Sequence, residues 1–414
     1  MVAKGDMLWA WAKDSAALER GECGGAVTAL LKYALESGEV DGVLTVEKGV
    51  DLYDAKPVFI TNPEDIAKAA GSLHCGTLLM PKLIKKYLNG ARDMKIAVTM
   101  KGCDAKAFYE LVKRQQINID NVLTIGLNCG GSVSPIEARV MIEEKFGLNP
   151  DDIVKEEIDK GQFIVLTKDG EHKGIKIDEL EEEGYGRRAN CQRCKTKIPR
   201  QCDLACGNWG VIGDKAGKAT FVEVCSDKGA ALVTKAEGKA IETAKPAGPA
   251  LDIRGKVEGA MFKLGDKCRK EQFEKLGEGK ERLNYIMDQT SRCIKCYQCI
   301  ENCPICYCVE CSTKKSHLVD PGDVTPPFMF HLIRYSHIAD SCVNCGQCQE
   351  LCAMDIPNAL FMHALQLEMQ DMFGYEPGVN LDLPVLSLVE EPAERKRLND
   401  TGTDQIFNIF GQKE

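Results

Sequence analysis

The sequence predicts an α/β domain with some α+β elements, followed by a smaller module built on cysteines. Three observations carry this. Over residues 1–243 short apolar runs alternate with helical patterns, and polar loops separate them. A Pro/Gly segment and a Lys/Glu-rich helical stretch follow over 244–290, read as a linker and bridging helix. From 291 to 414 two cysteine runs of one spacing appear, then a helix and a charged tail from Glu390, in a chain with 21 Cys among 414 residues. That length suffices for two or three domains with cores of their own.

The elements follow in order. Met7–Ala12 reads as a first strand. Gly21-Glu22-Cys23-Gly24-Gly25 leads into a helix over Ala26–Leu35, whose Val27, Leu30, Leu31 and Ala34 share one face. Such a glycine pair suits a plain turn, or a backbone approach to a phosphate at a helix start. Strands are expected at Val43–Val46 and Pro57–Thr61, and Asn62-Pro63-Glu64-Asp65 is a helix start with its cap. Gly71–Gly76 interrupts before a helix at Pro81–Leu88; His74 within it reads first as an ordinary loop or core histidine. Strands at Lys95–Thr99 and Val122–Leu127 end at Lys101-Gly102-Cys103-Asp104 and Asn128-Cys129-Gly130-Gly131, each followed by a helix (to Gln115, and over Pro135–Phe146). Ligand loops of α/β sheets gather at such carboxyl ends, which singles out Cys103 and Cys129; taken singly, each is also a plausible buried thiol. Phe163–Thr167 and Gly174–Ile177, split by Asp169-Gly170, make a hairpin. Phe221–Val224 reads as a strand, Lys235–Thr243 and Lys256–Asp288 as helical, and the spaced apolar residues from Ala359 to Met369 as an amphipathic helix.

The cysteines carry the chemistry. Cys293, Cys296, Cys299 and Cys303 are spaced C-x-x-C-x-x-C-x-x-x-C with Pro304 next, and Cys342, Cys345, Cys348 and Cys352 repeat the spacing. One Cys-x-x-Cys pair would equally suit a zinc ribbon. Two complete runs have the spacing of bacterial ferredoxins, in which the first three cysteines wrap one 4Fe-4S cluster and the fourth ligates the other. Cys293, Cys296, Cys299 and Cys352 are thus expected on one cluster, and Cys342, Cys345, Cys348 and Cys303 on the second. Cys306, Cys308 and Cys311 are surplus to both and are candidates for a further metal. Upstream, Cys191, Cys194, Cys202 and Cys206 have the spacing of a self-contained metal knuckle. The His317, His331 and His337 side chains between the runs read as structural or solvent-facing.

Composition excludes other classes. A net charge of −9 and the lack of a basic stripe with interleaved aromatics speak against nucleic acid. No apolar run reaches the length of a membrane span, and Met1–Ser15 lacks the apolar core of a signal peptide. Abundant reduced thiols suit the cytoplasm.

The segment Cys23-Gly24-Gly25-Ala26-Val27-Thr28-Ala29-Leu30, with Gly71-Ser72, Gly102-Cys103-Asp104, Gly126-Leu127-Asn128-Cys129, Cys191-x-x-Cys194, Asp203-Leu204-Ala205, Gly207 and Gly210, resembles the coenzyme F420-reducing hydrogenase beta-subunit family over roughly residues 10–240. The appended ferredoxin-like module, with Cys-Pro-Ile-Cys-Tyr-Cys at 303–308, is most similar to the formate dehydrogenase branch of that family. The resemblance implies FAD, three 4Fe-4S clusters and reversible reduction of coenzyme F420 in the metabolism of methanogenesis. It also implies a molybdenum- or tungsten-pterin subunit that oxidises formate, with a heterodisulfide reductase complex as a further partner. It places the inner cluster on Cys103, Cys129, Cys191 and Cys194, leaving Cys202 and Cys206 as the rivals that local spacing favours. The FAD candidates are Gly24, Gly25, Thr28, Ser72, His74, Lys101 and Asn208; no side chain is required as a general base. The family has Pro-Cys-Gln where this chain has Gly102-Cys103-Asp104, and no cysteine at position 23. Two rival readings keep parts of this: the same subunit wired to a hydrogenase, sulfite reductase or heterodisulfide reductase, and a flavin-free electron-wiring adaptor.

Overall fold

A computed structural model describes residues 2–386 apart from 77, 309, 318, 320, 321 and 323. The tail from Glu390 therefore lies outside the described residues. An eight-stranded mixed sheet forms the centre, in the order β11-β1-β10-β9-β5-β4-β2-β3. Its strands are β1 (Met7–Ala12), β2 (Gly42–Lys48), β3 (Ala55–Ile60), β4 (Ile96–Met100), β5 (Val122–Leu127), β9 (Leu204–Gly207), β10 (Thr220–Val224) and β11 (Ile241–Ala244). The four middle strands β2, β4, β5 and β9 run parallel, and antiparallel partners flank them. Near-continuous apolar sequence, as in Ile96–Met100 with all five residues buried, is what a strand covered on both faces requires. One apolar cluster, with Leu30, Val43, Ala97, Ile125 and Val222, covers one side of the sheet, and another, with Met80, Ile84, Val98, Phe108 and Leu111, covers the other.

The predicted hairpin is present as β7 (Gln162–Thr167) and β8 (His172–Lys176), and a third strand, β6 (Ile153–Asp159), completes a small antiparallel sheet. Two expectations are corrected. Lys235–Thr243 is not one helix: the helix is Asp227–Ala236, and the chain then turns into β11, whose pairing with β1 overrides the helical pattern. Lys256–Asp288 divides into helices Gly248–Glu274 and Gly279–Thr290, with Gly277 at φ +64° in the break. The first of these begins inside the expected linker. It is bolted to the sheet by Arg254, which donates to Glu223 (2.5 Å) and stacks over Phe221, while Arg200 bridges Glu223 and Glu258.

The C-terminal module docks on the helix Gly102–Lys113 that follows β4. Buried Glu110 accepts from Tyr375 Oη (2.5 Å) and the Gly378 amide (2.8 Å), and Lys106 pairs with Glu376. The helix Asn358–Phe373 supplies the module with Leu360, Phe361 and Met362 as core. Among the described residues no helix is long and apolar enough to cross a membrane.

Candidate functional site

Both ferredoxin-like runs fold by one device. Lys295 and Tyr297 in the first, and Asn344 and Gly346 in the second, have φ between +53° and +79°. These left-handed residues, costly for any side chain but glycine, curl the loop around its own sulfurs. A single helical turn then carries the third cysteine of each run, Gln298–Glu301 and Gln347–Glu350. Backbone N–H groups turn inward: Lys295 donates to Cys293 Sγ (3.3 Å) and Ile356 to Cys352 Sγ (3.4 Å).

Two cavities result. Cys303, Cys342, Cys345 and Cys348 line one of about 360 Å³, walled by Ile305, Ile338, Val343 and Met362. Cys293, Cys296, Cys299 and Cys352 line the other, of about 370 Å³, with Phe330, Ile356 and Met354. Each set is three cysteines of one run and the last cysteine of the other. Cys306 stays outside the first cavity; its thiol hydrogen-bonds to Cys303 and, with burial opposing and Arg334 assisting, holds the Cys303 thiol well below its ordinary pKa. Burial pushes Cys342 and Cys299 up to about 11, and Cys345 and Cys348 also upward. Thiols gathered in fours, most of them away from solvent, are the donor chemistry of an iron–sulfur site, where a cation among them favours the thiolate form. Cys308 is exposed, and Cys311 lies beside the Thr313 hydroxyl (2.9 Å); they line neither cavity.

A third group of cysteines forms at the carboxyl edge of the parallel strands. Cys103 opens the helix after β4 and Cys129 follows β5. Gly102 comes so near the Thr196 carbonyl that a Cβ there would sit 2.1 Å from it, which sets Cys103 beside the Cys191–Thr196 loop. The Cys129 amide donates to Lys197 O (2.9 Å), and Cys191 receives Asn190 Nδ2 (3.6 Å) and faces Ser132 Oγ (3.7 Å). Cys129 feels the charges of Cys191, Cys194, Lys197 and Lys101. Burial raises Cys103 and Cys129; burial also opposes the Cys191 thiolate, but Arg188, Ser132 and Lys197 together bring that thiol below its ordinary value. Cys202 and Cys206 are elsewhere. Cys202 packs with Phe108 and Tyr109 in one core cluster, and Cys206 sits on β9 in the other.

The three groups neighbour one another: Cys348 feels the charge of Cys299, and Cys103 that of Cys345. The middle and inner groups are also clamped: Asn190 Nδ2 donates to Asn344 O (3.2 Å), Asn344 Nδ2 returns to Asn190 O (3.1 Å), and Arg188 pairs with Glu350 (2.8 Å).

Of the seven candidate flavin residues, Lys101 follows β4 and Asn208 follows β9 at that carboxyl edge. β1 ends there, and Thr220 at the start of β10 donates to Cys23 O (2.8 Å) in the turn before Ala26. Gly24 has φ +79°, and a Cβ on it would lie 2.3 Å from Lys218 O, so this chain's own packing already requires the glycine. Gly25 is likewise held against Ala17 O, and Thr28 is half-buried on the following helix. Ser72 and Asn208 are exposed. Lys101 Nζ donates to Leu78 O (2.9 Å) and pairs with Asp104 (3.2 Å); burial works against its charge, but Asp104, Cys103 and Cys129 outweigh it and raise its pKa. The His74 loop is anchored by buried Glu156 on β6, which accepts the His74 N–H (2.7 Å), the Cys75 N–H (3.0 Å) and the Cys75 thiol (2.7 Å). His74 Nδ1 is buried without a partner among the described residues, so this edge offers an unspent polar atom to a ligand. Sequence reasoning missed Glu156, Asn190, Asn344 and Arg334; only their contacts mark them.

Geometry and fold define a chain with three groups of cysteines, one of them at the loop edge of a mixed α/β sheet. This chain belongs to the coenzyme F420 hydrogenase/dehydrogenase beta-subunit family. The models for the N-terminal and C-terminal parts of that beta subunit match residues 7–85 and 93–248. The F420-dependent formate dehydrogenase subunit beta of Methanocaldococcus jannaschii is 52% identical over 381 residues, covering 92% of this chain and 98% of that protein. The F420-dependent formate dehydrogenase 1 subunit beta of Methanococcus maripaludis is 51% identical over 381 residues, covering 92% and 97%. A chain from the solved F420-reducing NiFe hydrogenase complex of Methanosarcina barkeri shares the fold, with a TM-score of 0.56 and 24% identity over 66% of this chain and 92% of that one.

Proposed function

We propose that this protein is the F420-reducing subunit of a cytoplasmic formate dehydrogenase, an oxidoreductase that receives electrons from a molybdenum- or tungsten-pterin subunit and delivers them to coenzyme F420, reversibly. The observation that carries the reading is the row of three cysteine groups ending at the carboxyl edge of the sheet, in a chain similar over nearly its whole length to named formate dehydrogenase beta subunits. Cys293, Cys296, Cys299 and Cys352 hold the outer 4Fe-4S cluster, Cys303, Cys342, Cys345 and Cys348 the middle one, and Cys103, Cys129, Cys191 and Cys194 the inner one. Gly24, Gly25, Thr28, Ser72, His74, Lys101 and Asn208 would hold FAD. When bound, the clusters carry electrons singly, and FAD pairs them for delivery to F420 as a hydride.

The chain's own residues bury, space and bias these groups. Apolar side chains wall much of the outer and middle cavities. The Asn190–Asn344 pair and the Arg188–Glu350 bridge tie the middle group to the inner one. Lys101, charged and facing Cys103 and Cys129, favours added negative charge at the inner site. The test is reduction of F420 by formate with the purified complex, and by an artificial donor with the isolated, cluster-replete chain. A chain that binds flavin and holds its iron, yet never reduces F420, would sink the assignment.

A further inference from the structure

Three buried cations stand among the cysteine groups with no carboxylate partner among the described residues. Lys197 donates to the Gly130 and Cys191 carbonyls, Arg193 to His363 and Gln272, and Arg334 to one carbonyl alone. A buried cation without a counter-charge is expensive, so something anionic must offset it. Arg334 is the sharpest case. It is 5% exposed, and its guanidinium lines the cavity of Cys303, Cys342, Cys345 and Cys348. Nη2 donates to Cys299 O (2.9 Å), the backbone of the neighbouring cavity, while Nε and Nη1 are buried with no acceptor.

We propose that Arg334 sets the reduction potential of the middle cluster, donating its unspent N–H groups to sulfur in that cavity and holding a fixed positive charge at the wall between the two ferredoxin-like sites. The inference rests on the reading that this cavity binds a 4Fe-4S cluster. Each reduction there adds one electron from the partner subunit, with no proton taken up and no bond made or broken. The added negative charge is stabilised by a nearby cation in a low-dielectric site and by hydrogen bonds to sulfur, both of which raise the potential. Arginine suits the role because it stays charged when buried. The middle site then acts as the electron-holding step of the series.

The test uses the whole complex and an EPR-monitored redox titration, with iron measured alongside. Arg334→Gln is expected to keep the wild-type iron content while the reduction equilibrium of one cluster falls at least tenfold, about 59 mV for a one-electron couple. The flavin potential should not move. Arg334→Lys, which keeps charge but loses the planar fork, should shift the same cluster by less. Full iron with unmoved potentials in Arg334→Gln overturns the proposal. If that variant loses iron, Arg334→Lys decides: full iron with a lowered potential supports it, and full iron with an unmoved potential, or iron lost again, overturns it, because the residue would then serve assembly. Cys303→Ser measured in parallel separates the two levels: unchanged iron there would defeat the reading of the cavity and the Arg334 proposal with it, whereas iron lost there with unmoved potentials in Arg334→Gln would defeat the Arg334 proposal alone.

Discussion

The C-terminal module and the sheet edge of the first domain solve the same problem, holding a redox group, by opposite means. In the module four cysteines line each cavity, and the left-handed residues at 295, 297, 344 and 346 curl the loops around them. At the sheet edge the candidate flavin residues come from four separate segments and spend much of their polar capacity on this chain, as Lys101 does on Leu78 and Asp104. The difference shows what each ligand demands. A ferredoxin-like cluster takes three of its four sulfurs from one short loop, residues 293–299 or 342–348, whereas a flavin edge is assembled by the register of a sheet.

The largest effects test the module's side of the contrast. Cys303→Ser should remove the middle cluster, iron in the chain falling from about twelve to about eight atoms, and formate-driven F420 reduction should fall with it. FAD content should hold, because the flavin residues lie on another unit. Iron assay with flavin extraction checks both, and joint loss of flavin would show the two regions to be less separable than drawn. Cys129→Ser should cost the same four irons at the inner site, seen as one fewer signal in the EPR spectrum of the reduced chain.

Next in size comes the anchor of the sheet edge. Glu156→Ala strands the His74 and Cys75 amides and the Cys75 thiol, so it should cost about 3 kcal/mol of stability. Denaturant unfolding of the purified chain gives the number. Flavin retention should drop as the His74 loop loosens while iron in the C-terminal module stays. An effect below about 1 kcal/mol would mean that water or another group replaces the carboxylate.

What the sequence made legible follows the same divide. Spacing assigned Cys303 to the second run and Cys352 to the first, and each lines the cavity of that run; β1 and β5 were readable because local pattern specifies them. The choice of Cys129 over Cys202 came from family resemblance, since C-x-x-C spacing alone pointed to Cys202 and Cys206; both turn out to be packed in cores on the sheet. Lys235–Thr243 misled because a helical pattern ran across the end of one helix into an edge strand fixed by β1. Glu156, Asn190 and Arg334 carry no local signature: each acts across 80 residues or more, or into a cavity that exists only after folding.

A smaller effect probes the seam between the two regions. Asn190 and Asn344 exchange two amide–carbonyl hydrogen bonds in a buried position. Replacing either by Ala removes one and leaves a carbonyl without its donor, and the double replacement should cost less than the two single costs added. A double-mutant cycle on thermal stability should return about 1 kcal/mol of coupling. A coupling near zero would mean that Arg188–Glu350 alone holds the middle group to the inner one.

The smallest effect is expected at Cys202, and it is the most discriminating. Cys202 is 1% exposed beneath Tyr109, with the Thr124 side chain in hydrogen-bond reach, and burial first, then Asp203 and Cys225, push its thiol upward. Nothing there resembles the company of Cys129, which feels two further cysteines and two lysines. Serine is slightly smaller and keeps a donor that Thr124 can accept, so Cys202→Ser should lower stability by only about 1 kcal/mol. Iron should stay near twelve atoms per chain, with the EPR spectrum of the reduced chain unchanged. If Cys202→Ser instead lost four irons while Cys129→Ser kept them, the inner cluster would belong to a peripheral knuckle formed by Cys191, Cys194, Cys202 and Cys206. The sheet edge would then hold flavin without a cluster beside it, and the series of three sites would be broken at its inner end.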